Sequence, residues 1–316
     1  MRAGRLRARA LLALALLAAA CGGGESAPPA ATGAAAVAPD APPGTDIWLA
    51  RLVRGADGSL AAEDVVNVTR RPGYDNQPSF LPDGTAFRYT VTDSAGRADI
   101  WLHEMEGGAN RAVTATAPES EYSATPLPSG VGFSAIRVEA DSTQKLWRFD
   151  DDGSGAAVLF PDIAPVGYHA WADDSTAVLY VLGEPATLQV ARLGEAGARK
   201  VAADVGRSLQ RIPGTGEVSY VQRLDGGATE IRRLDPALGS SERIAAGVEG
   251  GDFHAWTPDG ILLQACEGKL FAFRSGAGGA WEEVADLSAL GIRLSRIAVH
   301  PDGSWIALVG EETGGS

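Results

Sequence analysis

Four histidines occur in 316 residues, and two of them stand in the same short sequence. His169 lies in GYHAWADDS and His254 in DFHAWTPDG, 85 positions later. Imidazole near carboxylate can bind a divalent cation, move a proton or hold a polar ligand. Asp252 stands two residues before His254 and would share its face on an extended strand. Asp75, Asn76 and Gln77, with Arg207 and Arg296, occupy comparable places in other parts of the chain. No compact signature accompanies them: there is no H-x-H or H-E-x-x-H, no G-x-S-x-G nucleophile elbow and no glycine-rich phosphate loop. Any chemistry at these residues needs a fold that brings distant segments together.

Short runs of Val, Ile, Leu, Trp and Tyr, cut by Gly, Asp and Pro, follow from Asp46 onward, and none sustains a 3.6-residue apolar period. Such runs predict many short strands joined by tight turns. The turn Pro-Asp-Gly occurs at 82–84, 258–260 and 301–303, with degenerate copies beginning at Pro128, Asp173 and Pro213. The spacings are 46, 45, 40, 45 and 43 residues. Pro presets the turn, Asp bonds its own backbone and Gly supplies the positive φ. Each turn joins two strands, as in NQPSFL and AFRYTV. A third strand is marked by DIW (99–101), KLW (145–147), LQV (188–190), EIR (230–232) or KLF (269–271), and a fourth by segments such as RAVT (111–114) and AAVLF (156–160). Four strands at this period make a propeller blade. The chain begins on a third-strand match, DIWLARL (46–52), followed by DVVNVT (64–69) as a fourth strand, and ends on a first and second. Five whole blades and one shared between the two ends give an all-β, six-bladed β-propeller over residues 46–316, with no open edge.

The segments NVTRRPGYDNQPSFLPDGTAFRYT and DIWLHEMEGG resemble the repeat of TolB-like six-bladed β-propellers. The resemblance implies the propeller fold and a habit of binding partner proteins. It does not extend to the α/β domain that precedes the propeller in TolB, so that protein's role is not carried over.

In this register His169 and His254 are equivalent positions two blades apart, about 120° around the axis. The corresponding positions elsewhere are mostly apolar, which predicts that Trp171 and Trp256 pack between blades. Three roles stay open for the histidines: hydrogen-bonded structural residues, a polar ligand site in the central channel with Asp252, Asp75, Asn76 and Arg296, or a divalent-cation site. DDDGSG (150–155) resembles a calcium loop but falls where a hairpin turn is needed and lacks the EF-hand pattern.

The first twenty residues, with Arg2, Arg5, Arg7 and Arg9 before an apolar run from Ala10 to Ala20, read as an export signal too short to span a bilayer. Ala18-Ala19-Ala20-Cys21 resembles the lipobox of bacterial lipoproteins, which implies lipidation at Cys21. Residues 21–45, rich in Gly, Ala and Pro, read as a flexible tether. Gly22, rather than Asp, after the cysteine implies the outer membrane, facing the periplasm, in a host with that sorting system. The chain holds 27 Lys and Arg against 40 Asp and Glu, a net −13, and loss of the signal deepens this by four. That charge argues against nucleic acid as a partner. The remaining cysteine, Cys266, sits in an apolar run and reads as a small core residue.

The expectation is a lipid-anchored, monomeric binding module for an envelope protein or glycan, with no required cofactor. The alternative is an enzyme at the channel mouth, lactonase-like or hydrolase-like with a metal, or dehydrogenase-like with a quinone, by analogy of fold alone. Replacement of Cys21 by Ala is expected to move the protein from the membrane to the soluble fraction. Fractionation of the two forms checks this, and retention of the variant on the membrane would refute acylation at this cysteine.

Overall fold

The computed structural model describes residues 44–274 and 279–312; the segments assigned above to signal, lipobox and tether lie outside them. The described residues open with β1 (Thr45–Arg54) and β2 (Leu60–Asn67). The first whole blade is β3 (Asp75–Phe80), β4 (Ala86–Thr92), β5 (Ala98–Glu104) and β6 (Asn110–Ala112). The second is β7 (Ser120–Pro126), β8 (Phe133–Val138), β9 (Gln144–Phe149) and β10 (Ala157–Val158). The third is β11 (Val166–Trp171), β12 (Thr176–Val181), β13 (Thr187–Arg192) and β14 (Arg199–Ala203). The fourth is β15 (Val205–Arg211), β16 (Val218–Arg223), β17 (Thr229–Leu234) and β18 (Ser241–Ala246). The fifth is β19 (His254–Trp256), β20 (Leu262–Cys266), β21 (Lys269–Phe273) and β22 (Trp281–Asp286). The chain then adds β23 (Ile292–Val299) and β24 (Trp305–Glu312), which join β1 and β2 in the order β2–β1–β24–β23. All six sheets are four-stranded and antiparallel, so the protein is a six-bladed β-propeller whose ends share one blade.

Burial grades outward within each blade. The second strands AFRYTVT and TAVLYV are buried along their whole length, because each is paired on both sides and covered by neighbouring blades on both faces. The outermost strands are exposed, as in β6. The repeated turns behave as their residues predict: Gly84, Gly260 and Gly303 have φ of 73°, 85° and 78°, and Asp83 Oδ1 accepts the Thr85 amide at 3.0 Å. DDDGSG is a hairpin turn, closed by Asp150 N–H to the Ser154 carbonyl at 2.8 Å.

Strand bounds shift by a residue or two at several places, as in β6 against RAVT (111–114), and two strands differ more. The second strand of the chain starts at Leu60 rather than Asp64, because Gly55 N–H reaches the Ser59 carbonyl at 3.0 Å and closes a tight turn there. The fourth strand of the second blade is only Ala157–Val158. Beyond it Phe160 turns into the core, and Pro161 follows, which has no amide to donate to a ladder.

The ring closes through seven register pairs between β1 and β24, from Thr45↔Glu311 to Arg51↔Trp305. Ile47 on β1 is fully buried, in a cluster with Phe80, Phe87, Tyr89 and Val309. His300 adds a polar link across the same seam, with Nε2 3.0 Å from the Gly84 carbonyl of the first blade. Ile47→Ala is expected to cost about 2–5 kcal/mol, because the cavity forms where the ring is closed. Denaturant unfolding checks this against Val66→Ala, at an exposed position on β2, where a near-neutral effect is expected.

Candidate functional site at the central channel

The first strands β3, β7, β11, β15, β19 and β23 line a central channel with a cavity of about 370 Å³. Five of the six, all but β19, carry a break in register, for example between Asn76 and Ser79 on β3 and between Tyr122 and Thr125 on β7. Gln77 and Ser123, inside two of these bulges, have φ of 60° and 56°. The Gln77 Oε1 accepts from the Thr90 hydroxyl and from the Ser123 amide, both at 2.7 Å, and so ties the first blade to the second. Bulges of this kind re-aim side chains beside functional sites.

The two histidines are held in matching clasps between blades. His169 Nε2 lies 2.7 Å from Ser134 Oγ on the preceding blade, and the same oxygen accepts Trp171 Nε1–H at 2.9 Å. His254 Nε2 lies 2.7 Å from Ser219 Oγ, which accepts Trp256 Nε1–H at 2.9 Å. Each serine hydroxyl points at a carbonyl of its own blade, Thr125 or Gln210. Ser134 and Ser219 therefore accept from both rings, which makes each histidine the Nε2–H tautomer, an assignment drawn from the network. Both Nδ1 atoms are buried without a partner. Burial pushes both imidazoles down to about 3, so they are neutral at physiological pH.

Register shows why only these seams carry the clasp. The place of Ser134 and Ser219 is taken by Arg88, Val178, Leu263 and Ala307 in the other blades. Where it is Val178, the facing residue of the next blade is Leu209, in the same apolar cluster. Where it is Leu263, the facing residue is Ile297. Polar faces polar and apolar faces apolar at these four seams. Arg88 makes a further kind, stacked 4.5 Å from the Phe133 ring centroid and paired with Asp151 at 2.7 Å. A serine lies 35 residues before each HAW histidine in the sequence, the one signal that could have disclosed the clasp.

The remaining candidates separate. Asp75 is buried against Arg71, with Nε 2.7 Å from Oδ1, and burial raises its carboxyl to about 6 against the pull of that guanidinium. Asn76 bonds the Thr45 hydroxyl at 3.3 Å and the Gln77 amide at 2.8 Å. Asp75 and Asn76 thus serve the junction of β1 and β3, and neither lines the cavity. Asp252 is exposed and also outside the lining. His169, His254 and Arg296 do line it. Among the described residues no group of three or more His, Cys, Asp or Glu is placed to hold a metal ion. Cys266 is buried, as its apolar surroundings imply.

Arg296 crosses the channel. It extends from the closing blade to the opposite third blade, where its Nη2 donates to the Tyr168 hydroxyl at 2.8 Å. Its guanidinium carbon lies 3.9 Å from the Phe253 ring centroid and 5.0 Å from that of Tyr168. Tyr74 completes this end: burial raises its phenol to about 12, opposed by Arg296 and Arg207. Tyr168 and Phe253, which the sequence did not single out, are thus the aromatic partners of Arg296.

A closed ring of six four-stranded blades around a channel barred by an arginine and two aromatic rings defines this chain as a six-bladed β-propeller. Its fold is that of the TolB-like propellers. TolB from Acinetobacter baumannii superposes with a TM-score of 0.54 at 14% identity, over 84% of this chain and 64% of that one. A protein described as TolB from Agrobacterium tumefaciens gives 0.66 at 13% identity, over 85% and 98%. A gluconolactonase from Xanthomonas campestris gives 0.59 at 13% identity, over 87% and 99%. This chain therefore spans less than two thirds of the Acinetobacter protein. No protein-family profile and no curated protein sequence matches the chain.

The clasps set a pH dependence. The folded histidines bind protons only near pH 3, whereas unfolded ones do so near 6.5. The unfolded state therefore holds more protons between these values, and stability falls as the pH drops through that window, by about 1.4 kcal/mol per pH unit for each histidine. Asp75 acts in the opposite sense between about 6 and 3.8, because its folded pKa is raised. Replacing Ser219 with Val and His254 with Leu together, which copies the Val178–Leu209 pair and leaves Trp256 Nε1 without its acceptor, is expected to lower stability at every pH and to remove one histidine's share of the acid slope. Unfolding free energies from pH 4 to 7 check this, and an unchanged slope would show that His254 titrates normally.

Proposed function

We propose that this chain is an extracytoplasmic binding propeller that meets an envelope protein or glycan at its central channel. In this reading acyl chains on Cys21 attach it to the membrane, residues 21–45 are its tether, and the outer membrane facing the periplasm is its site. The observation that carries the proposal is the division of labour in the channel. The buried histidines are occupied in holding blades together, while Arg296 and Tyr168, on bulged strands, and Phe253, just before β19, stand at one end. Aromatic and arginine side chains of this sort are the residues from which binding hot spots are built. TolB-like folds at 13–14% identity establish the architecture alone, so the partner is argued from the channel itself.

The competing reading is an enzyme, for which the gluconolactonase fold is the available analogy. It would need titratable groups converging on the channel. The imidazoles present are neutral, hydrogen-bonded to serine and packed between blades, and the nearest sequence carboxylates, Asp75 and Asp252, lie outside the cavity.

A photoreactive phenylalanine analogue placed at position 253 in cells is expected to give a discrete adduct that Arg296→Glu abolishes. The same analogue at Leu238, exposed on the loop between β17 and β18, is expected to give none. Adducts from position 238 alone would reject the channel as the binding site. Lactone turnover that disappears in His254→Ala would favour the enzyme.

A further inference from the structure

The chain as a whole is acidic, with 40 Asp and Glu against 27 Lys and Arg. Its central cavity has the opposite character. Three arginines, Arg207, Arg211 and Arg296, are among the lining residues, and no aspartate or glutamate is. Elsewhere the arginines are generally paired: Arg54 with Asp259, Arg71 with Asp75, Arg88 with Asp151, Arg97 with Asp93 and Arg233 with Glu242. Among the described residues no carboxylate lies within ion-pair distance of Arg207, Arg211 or Arg296. Arg211 donates only to the Thr215 carbonyl, at 3.4 Å.

Three arginines without counter-ions line one cavity of an acidic protein, Arg296 half-buried and Arg207 and Arg211 exposed, and give it a local field of reversed sign. Low-dielectric walls strengthen such a field and concentrate anions in it. Arg296 is also held in a posture suited to an anion. Phe253 covers its flat face, and a guanidinium stacked in this way keeps its N–H groups in the plane, where a carboxylate can accept two of them at once. Only one such bond is made within the protein, to the neutral hydroxyl of Tyr168. The two histidines add no charge, being neutral.

The rest of the lining indicates what the anion is attached to. Ser79, Thr125 and Gln210 bring neutral hydrogen-bonding groups, and Tyr168 brings a ring face. At about 370 Å³ the cavity is near the lower end of the roughly 300–1,000 Å³ range of small-molecule sites. Arginines for a carboxylate, an amide and hydroxyls for alcohol groups, and a ring for the C–H faces between them are together the chemistry that recognises a sugar acid.

We infer that the central channel is a binding site for a small polyhydroxylated carboxylate of the uronic-acid class, with Arg296 taking the carboxylate and Arg207 and Arg211 supplying the attractive field. The inference goes beyond the partner proposed above, since the channel can take this ligand whether the partner at the mouth is protein or glycan.

Titration calorimetry on the full chain in detergent tests it, with sodium D-glucuronate, sodium D-galacturonate, D-glucose, inorganic phosphate and an N-acetylated aspartyl amide as probes. Saturable binding of at least one uronate is expected, with none for glucose and with affinity falling as salt is raised. Arg296→Gln is expected to weaken uronate binding at least tenfold, and Arg296→Lys to restore little of it, since an ammonium cannot form the bidentate contact. Arg207→Gln, at an exposed position, should weaken it several-fold without a change in thermal unfolding, so the test does not hang on one variant. Absence of binding for both uronates, or equal binding of glucose, would overturn the inference. Phosphate binding more tightly than either uronate would make the channel a general anion site, and binding of the aspartyl amide alone would assign it to peptide; either result rejects the sugar acid. The crosslinking at position 253 is independent of these outcomes, so a channel without uronate could still prove to be a partner site.

Discussion

No blade of this propeller can bury its own sheet alone. The second strands are buried on both faces and must be covered by a neighbour on either side, so the structure depends on an unbroken ring of blade-on-blade contacts. The antiparallel pairing of β1 with β24 completes that ring and satisfies the backbone of the two strands that would otherwise form open edges. The channel, the mouth and the alignment of the first strands all follow from that closure.

The seams solve one packing problem in different chemical ways. Val178 against Leu209 and Leu263 against Ile297 are apolar and stabilise by excluding water. Ser134 and Ser219 instead meet a histidine and a tryptophan, which exchanges some apolar contact for directed hydrogen bonds. A buried polar group without its partner costs about 1–3 kcal/mol, so serine, histidine and tryptophan at such a seam are useful only together. Their pairing across blades within one chain is therefore physically required. The same burial keeps the imidazoles uncharged and couples the integrity of the seams to pH.

Charge is distributed as unevenly as polarity. Carboxylates dominate the composition and many decorate the turns, where Asp83, Asp173 and Asp302 accept backbone amides. They are absent from the cavity, where arginine is the only charged lining residue. An acidic composition and an arginine-lined channel thus set local fields of opposite sign.

The sequence by itself determined the blade count, the closure and most strand positions. A hairpin turn needs residues of particular conformational reach, and a doubly covered strand needs a continuous apolar run; both leave marks that recur every 44 residues or so. The outer strands were less legible, as the two-residue β10 shows, because an exposed strand carries little apolar pattern. His169 and His254 were legible as equivalent positions, but their partners were not, since a lone serine 35 residues away carries no periodic signal. The tertiary structure alone decided that Asp75 and Asn76 turn to Arg71 and Thr45 while Arg296 reaches across to Tyr168. A one-residue bulge reverses which face a side chain occupies, and contacts across a ring join residues 128 positions apart. Neither is written in any local stretch of the chain.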